Sequence, residues 1–296
     1  PLFAFARCLV HFAVDEQEVH FCTHLKGKDS EFLPFNKGTS SGGSGNPANL
    51  AGLATAYLWE QILTPGSLTD ILENYAQVVE KKHLRTGRKT YKQIFPRYHQ
   101  LDVVRSLLAH VQAHGAGHCY LAQHSAGSGK SNSIAWLTHQ VGDVPHNGER
   151  VFDTVIVVTD RRNLDEQLRG NIFAFMQVGA TVGAVTGRGA SKTQQLRQFL
   201  EAGKKIIICT LQTFPELSRQ LDNAPAGRRY AVIIDEAHSS QGSKASAALN
   251  LSLADDAQPV ADDADMEDVV NAVIEERMRS RKLLANASYF AFTATA

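Results

Sequence analysis

The sequence predicts an α/β protein in which a parallel β-sheet is covered by helices on both faces. From residue 119 onward, short runs of apolar, often β-branched residues alternate with stretches whose apolar residues have helical spacing. Strands that are apolar along their whole length are typical of a parallel sheet buried on both faces. Polar motifs directly follow several of these strands, and open α/β sheets bind ligands at the carboxyl ends of their strands.

The composition limits the kinds of function. The 296 residues can form one large domain or two modest ones. Lys and Arg number 30 and balance 30 Asp and Glu, so no global field attracts nucleic acid and any such contact must be local. Four cysteines without a C-x-x-C pair suit the reducing cytoplasm. No apolar run approaches the ~20 residues that span a bilayer, so we expect no membrane partner.

Residues 1–90 predict a smaller α+β segment. Leu9–Val14 and Val19–Thr23 alternate in the manner of a β-hairpin, and residues 38–49 are rich in Gly, Ser and Asn, as loops are. Helical spacing of apolar residues follows over Leu53–Leu63 and Leu68–Val79.

The stretch Lys81–Lys92 is basic and polar. Two interpretations are open: a linker, which we favour, and a contact to DNA phosphates. Glu80-Lys81-Lys82 also matches the E-x-K of many nucleases, but a three-residue match carries little information. We interpret it as a solvated charge cluster.

Residues 91–296 predict the larger α/β domain. It begins with a helix after Arg97, and further helices are expected at Asn163–Phe175, Lys192–Ala202 and about Met266–Leu284, the last after an acidic loop at 255–268. The predicted strands are Cys119–Ala122, Thr154–Thr159, Val182–Val185, Lys205–Thr210, Ala231–Asp235 and Tyr289–Thr293.

A phosphate-binding loop follows the first of these strands. The loop ends in Gly127-Ser128-Gly129-Lys130-Ser131, and a helix is predicted from Asn132 to Val141. Backbone N–H groups and a helix N-terminus attract phosphate, the lysine reaches the outer phosphates, and the serine hydroxyl binds Mg²⁺. The match is imperfect, because His124 stands where the pattern G-x-x-x-x-G-K-[ST] has its first glycine.

A second motif, Asp235-Glu236-Ala237-His238, ends an apolar strand. Successive side chains of a strand point to different places, so one carboxylate can hold Mg²⁺ while the other orients water. A phosphate loop and an acidic pair are complementary halves of one Mg–nucleotide site. We therefore expect Lys130 and Asp235 to meet around one magnesium triphosphate.

Other polar residues are candidates for ligand contacts, each with a structural alternative. Gln100 offers an amide that can bind an adenine edge, or it belongs to a helix start. Hydroxyl, amide and guanidinium groups at strand ends can hold a nucleic-acid backbone, or cap helices. These DNA-contact candidates are Thr159, Arg161, Thr210 and Gln212, and the pair Thr293 and Thr295 is a candidate for coupling the nucleotide site to a neighbouring lobe.

Together the motifs G-S-G-K-S, T-D-R, D-E-A-H and T-A-T resemble, in order and spacing, the first motor lobe of superfamily 2 helicases. More closely, the chain is similar to the motor and restriction (R) subunit of type I restriction enzymes, over nearly its whole length. The stretches that carry this resemblance include Val10–Asp15, Phe32–Asn36, Gly45–Pro47, Tyr57–Glu60, Arg97–Gln100, Asp235–Gln241 and Asn286–Thr295.

The resemblance implies a RecA-like lobe that uses ATP and Mg²⁺ to pull duplex DNA, in a cytoplasmic bacterial or archaeal protein. Modification and specificity subunits would be its partners, and a separate nuclease domain would cut DNA remote from the recognition site. By position, Lys130 and Ser131 would hold phosphates and Mg²⁺, Asp235 would hold Mg²⁺ and Glu236 would act on the attacking water.

The chain departs from this family in lacking the nuclease residues and the second motor lobe with its arginine fingers. Because arginine fingers contribute ~10³–10⁵ in rate, we expect the chain alone to hydrolyse ATP poorly. Three alternatives remain open: an RNA or DNA helicase lobe unrelated to restriction, a P-loop enzyme such as a kinase, and a binding module without turnover.

Overall fold

The computed structural model describes most of the chain. The described residues are 5, 7–39, 42–82, 89–125, 127–159, 182–187, 191–210, 213, 217, 220–221, 227–235 and 286–293. Within these ranges, no helix is both long and apolar enough to cross a membrane. The helices predicted at 163–175 and 266–284 and the acidic loop at 255–268 lie outside the described residues.

The chain divides into two compact units, residues 1–104 and residues 105–296. The division falls inside one helix, Tyr98–His114, so the helix contributes residues to both units. The sequence pattern predicts this boundary at residue 90, before the helix.

The first unit begins with a three-stranded antiparallel sheet. Its strands are β1 (His11–Val14), β2 (Val19–Cys22) and β3 (Leu33–Pro34), with β2 in the centre. The predicted hairpin is thus present. Its turn is closed by Asp15, whose Oδ1 accepts hydrogen bonds from the backbone N–H groups of residues 17 and 18 at 2.7 and 2.8 Å.

An aromatic core holds this unit together. Ring centroids lie between 5.3 and 6.1 Å apart, in mostly edge-to-face geometries that favour aromatic pairs. The rings belong to Phe12, Phe21, Phe35, Tyr57, Phe95 and Tyr98. They join the sheet to the segments around residues 57 and 95, which are distant in sequence.

The helices of the first unit are shorter than predicted. The stretch Leu53–Leu63 has only a π-helical turn at Leu58–Ile62, and helix α1 spans Pro65–Asn74. The helix predicted over Leu68–Val79 does not extend to Val79. Strand β4 (Gln77–Lys82) covers that position instead and pairs with β5 (Lys89–Ile94). The β-branched Val78 and Val79 suit a strand better than a helix end. The favoured linker interpretation of residues 81–92 is also wrong, because described parts of that stretch form this antiparallel ribbon.

Helix α2 (Tyr98–His114) follows and confirms the helix predicted after Arg97. The second unit then contains a six-stranded sheet in which all neighbouring strands are parallel. The strands are β6 (Cys119–Gln123), β9 (Thr154–Thr159), β10 (Val182–Ala184), β11 (Ile206–Thr210), β12 (Tyr230–Asp235) and β13 (Ala287–Thr293), in the spatial order β10-β11-β9-β12-β13-β6. Between β6 and β9 in the sequence lies a small hairpin, β7 (Pro145–His146) and β8 (Glu149–Arg150), which the sequence pattern does not predict.

Helices flank this sheet. Helix α3 (Lys130–Val141) packs against β12 and β9, and helix α4 (Lys192–Glu201) packs against β11. Every residue of β9, β11, β12 and β13 is buried, as the continuous apolar runs predict. The predicted α/β class, with a parallel sheet and helices on it, is confirmed.

The packing of α4 on the sheet leads to a first prediction. A Cβ atom on Gly183 in β10 would lie 2.8 Å from Cδ2 of Phe199, which is too close. We expect Gly183→Ala to lower the free energy of unfolding by about 1–3 kcal/mol in urea titrations. Adding Phe199→Leu should recover part of this loss. Gly66→Ala is the control, because a Cβ there meets no atom within 4 Å, and it should not destabilise the protein. Equal losses in both alanine variants would contradict the packing explanation.

Candidate nucleotide site

The loop between β6 and α3 has the backbone of a phosphate cradle. Gly127 and Gly129 have φ angles of +73° and +89°, a conformation that glycine adopts without steric cost. The N–H of Ser128 donates to the carbonyl of Ser125 at 3.1 Å, which closes the turn between them. A Cβ added to Gly127 would meet no atom within 4 Å, so there is open space beside the loop.

Helix α3 starts at Lys130, directly after this loop. Its first turn therefore presents backbone N–H groups and the positive end of the helix dipole to the loop. The helix is held firmly, since Ile134, Trp136 and Leu137 have 0% exposure. The conformation of the loop thus depends on a well-packed helix and on the edge strand β6.

Lys130 and Asp235 meet at this point, as expected from the sequence. The Nζ atom of Lys130 lies 3.2 Å from Oδ1 of Asp235, and the two side chains are 12% and 3% exposed. Asp235 ends β12, whereas Lys130 follows β6, and β13 lies between these strands. Parallel strands end at the same edge of the sheet, and this brings residues that are remote in sequence together.

The arrangement fits a magnesium nucleotide. Backbone N–H groups and an ammonium group suit phosphate oxygens, and a carboxylate with a nearby hydroxyl suits a hard cation such as Mg²⁺. Ser131 is the second residue of α3 and only partly buried, adjacent to Lys130. Lys130, Ser131 and Asp235 are therefore the described residues that would hold phosphates and magnesium.

His124 is a site residue that the sequence marks only as a departure from the phosphate-loop pattern. Its Nδ1 lies 3.2 Å from Oγ of Ser128, and both side chains are buried. The backbone N–H of His124 donates a hydrogen bond of 2.8 Å to the backbone carbonyl of Thr293, at the end of β13. His124 thus joins the loop to the neighbouring strand, and a polar residue in place of the usual glycine was the available signal.

The DNA-contact candidates Thr159 and Thr210 are register partners at the ends of β9 and β11. Thr159 is 0% exposed and Thr210 is 5% exposed. Oγ1 of Thr210 accepts a hydrogen bond from Nζ of Lys192 at 3.3 Å and lies 3.4 Å from Oγ1 of Thr213. Both hydroxyls are therefore covered in this structure, and their contact with DNA stays a prediction.

Gln100 lies in the first unit and is 3% exposed. Its Oε1 accepts a hydrogen bond from the N–H of Arg97 at 2.9 Å, which is the return bond of a capping box at the start of α2. This contact fits the helix-start alternative, and adenine binding stays a prediction.

Thr293 ends β13 and is 5% exposed. Strand β13 lies between β6, which precedes the phosphate loop, and β12, which ends in Asp235. Its role in coupling stays a prediction. The remaining candidates, Arg161, Gln212, Glu236 and Thr295, lie outside the described residues.

Comparisons with known proteins place the chain in a family. No curated protein sequence matches it. Among solved structures, it is similar to a DEAD box protein from the hyperthermophile Methanococcus jannaschii, with 18% identity, 68% of this chain and 44% of that chain covered, and a TM-score of 0.37. It is also similar to T4 UvsW, with 14% identity, 79% and 35% covered, and a TM-score of 0.40. The chain spans less than half the length of either.

The profile of the SWI2/SNF2 ATPases matches residues 99–296, about two thirds of the chain. This range contains the loop, the helix α3 and the strand that ends in Asp235. The chain therefore belongs to the SWI2/SNF2 ATPase family and is a superfamily 2 helicase-like ATPase.

Proposed function

We propose that the chain is the first motor lobe of the R subunit of a type I restriction enzyme, which binds Mg-ATP and translocates duplex DNA. The ion pair between Lys130 and Asp235, at 3.2 Å, is the observation that carries the nucleotide part of the proposal. The sequence matches in residues 1–104, upstream of the ATPase lobe, support the assignment to the R subunit rather than to an unrelated helicase.

In this proposal each residue of the site has a separate task. The ammonium group of Lys130 binds the outer phosphate oxygens, and the loop N–H groups from Gly127 to Lys130 hold the phosphates in line. The hydroxyl of Ser131 and the carboxylate of Asp235 hold magnesium, which when bound neutralises charge that develops on the phosphates. Glu236 orients the attacking water. Gln100 binds the adenine, and Thr293 and Thr295 transmit the state of the nucleotide site.

The partners follow from the resemblance. Modification and specificity subunits would bind the full-length protein and supply recognition of the DNA sequence. The parent protein would cleave DNA at a distance from that sequence, in the bacterial or archaeal cytoplasm. Thr159, Arg161, Thr210 and Gln212 would contact the DNA backbone during translocation.

The test is an ATPase assay on the full-length protein with and without duplex DNA. We expect hydrolysis that duplex DNA stimulates and that Lys130→Ala abolishes, because the phosphates lose their main cationic contact. Loss of one such contact to a developing charge costs ~10²–10³ in rate. An RNA duplex and single-stranded RNA are included in parallel. Activity without DNA that survives the substitution would refute the motor, and stimulation by RNA alone would favour an RNA helicase.

A further inference from the structure

The ribbon formed by β4 and β5 has no part in the nucleotide site. The twelve residues of these two strands include four basic residues and one acidic residue, Glu80, whereas the whole chain has equal numbers of both. The basic residues are Lys81, Lys82, Lys89 and Lys92. A third of the two strands is therefore basic, compared with about a tenth of the chain, and local charge of this kind is the mark of a polyanion partner.

The ribbon is firmly attached at its base. Gln93 is 3% exposed, and its side-chain amide donates to the backbone carbonyl of Cys8 at 2.8 Å and to that of Leu9. Phe95, directly after the ribbon, belongs to the aromatic core of the first unit. The paired strands thus leave a rigid base rather than a loose connection.

Beyond this base the ribbon is exposed. The four successive residues Lys89–Lys92 are all exposed, and alternate residues of a strand point to opposite faces. Neither face of β5 is therefore covered there. Tyr91 is 53% exposed, and opposite it in the register lies Glu80.

Glu80 offsets little of the positive charge. Its carboxylate contacts Nζ of Lys89 at 3.0 Å and the hydroxyl of Tyr91 at 3.1 Å. The hydrogen bond that Lys89 donates to Glu80 raises the pKa of Lys89, which keeps that ammonium charged. Among the described residues, no group of three or more His, Cys, Asp or Glu could hold a metal ion, at the E-x-K match or elsewhere.

We propose that this ribbon is an arm that binds the phosphate backbone of duplex DNA. Six residues of a strand span about 20 Å, and the major groove of B-DNA, about 12 Å wide, admits a two-stranded ribbon. The deep, narrow major groove of an RNA duplex does not admit one. The inference deepens the proposed function, from which it takes duplex DNA as the partner, but it depends on residues of the first unit alone.

The test measures binding of a short fluorescein-labelled DNA duplex to the full chain by fluorescence anisotropy at several KCl concentrations. Each neutralised phosphate contributes about 0.9 to the slope of log K against log salt. The double variant Lys89→Gln/Lys92→Gln should therefore reduce the slope by about 2 and the affinity at low salt by about tenfold. An unchanged slope and affinity would overturn the proposal.

Two further variants separate the ribbon from general charge and from misfolding. Lys26→Gln/Lys28→Gln removes the same charge from two other exposed lysines of the first unit, and it should leave the slope unchanged. Glu80→Gln removes the one acid of the ribbon and should strengthen binding by about twofold or more, which misfolding cannot do. Equal loss in both lysine pairs, or weaker binding by Glu80→Gln, would overturn the proposal.

Competitors identify the partner. Unlabelled DNA duplex should displace the probe far better than an RNA duplex, polyglutamate or anionic lipid vesicles at equal charge. Equal displacement by any of these would overturn the assignment to duplex DNA. Binding of a fluorescent ATP analogue is measured on the same proteins. If the chain binds nucleotide but not DNA, the proposed DNA-binding role of the ribbon is refuted and the nucleotide site is not. If it binds DNA through the ribbon but does not bind nucleotide, the proposed nucleotide site is refuted and the role of the ribbon is not.

Discussion

Lys130→Met will lower the free energy of unfolding by about 3–5 kcal/mol, because it leaves the carboxylate of Asp235 buried without its cation. Asp235 is 3% exposed on the side chain, so water cannot replace the ammonium group. The loss is measured by urea unfolding followed by circular dichroism. Lys205→Met is the matched control. Lys205 is exposed and lies at the amino end of β11, whereas Lys130 and Asp235 lie at the carboxyl ends of the strands. It should change stability by less than about 0.5 kcal/mol.

A double-mutant cycle distinguishes buried charge from lost packing. Asp235→Asn in the Lys130→Met background removes the carboxylate charge that has lost the ammonium group of Lys130, and it should restore about 2 kcal/mol. If the double variant is as unstable as the sum of the two single variants, the two side chains do not interact. Lys130 and Asp235 would then lie close together without stabilising each other.

Asp235→Asn will abolish the dependence of ATP binding on magnesium. An amide is a poorer ligand than a carboxylate for a hard cation, so the affinity measured in Mg²⁺ should fall on the order of 10²-fold, close to the value measured in EDTA. Lys130→Met should instead weaken binding in both media, because the lysine contacts phosphate directly. Calorimetric titration of the full chain with ATP, in Mg²⁺ and in EDTA, measures both effects.

The contrast between the two variants is the informative result. Lys205→Met should bind ATP as the unsubstituted chain does in both media. A magnesium effect that persists in Asp235→Asn would mean that this carboxylate does not hold the cation, and would remove the assignment of Asp235 while leaving that of Lys130.

The second unit was more predictable than the first. Strands β9, β11, β12 and β13 are mostly apolar and buried along their whole length. Stretches with helical spacing separate the strands in the sequence, and a buried parallel sheet produces both patterns. The meeting of Lys130 and Asp235 was also predictable, because motifs at carboxyl ends of parallel strands share an edge. The hydrogen bond between His124 and Ser128 was not, since it depends on the loop conformation and on the position of β13.

In the first unit, local patterns conflicted with distant contacts. Residues 75–79 continue the apolar spacing of α1, yet Val78 and Val79 pair with residues of β5 that come later in the chain. The basic composition of residues 81–92 fits a linker as well as a ribbon. Only the pairing register and the anchoring of Gln93 on residues 8 and 9 distinguish them, and neither is visible in a local window.

The order of strands in the sheet also bears on how such a protein can change during evolution. The parallel strands that come between Lys130 and Asp235 in the sequence, β9, β10 and β11, all lie on the side of β12 away from β13 and β6. None of them separates Lys130 from Asp235, so changes in their lengths leave the spacing between the two residues intact. Strand β13 has no such freedom, because it separates the two halves of the pocket like a spacer of fixed width. Changes in its length or tilt would affect both halves at once, and β13 should therefore tolerate less variation than β9, β10 or β11.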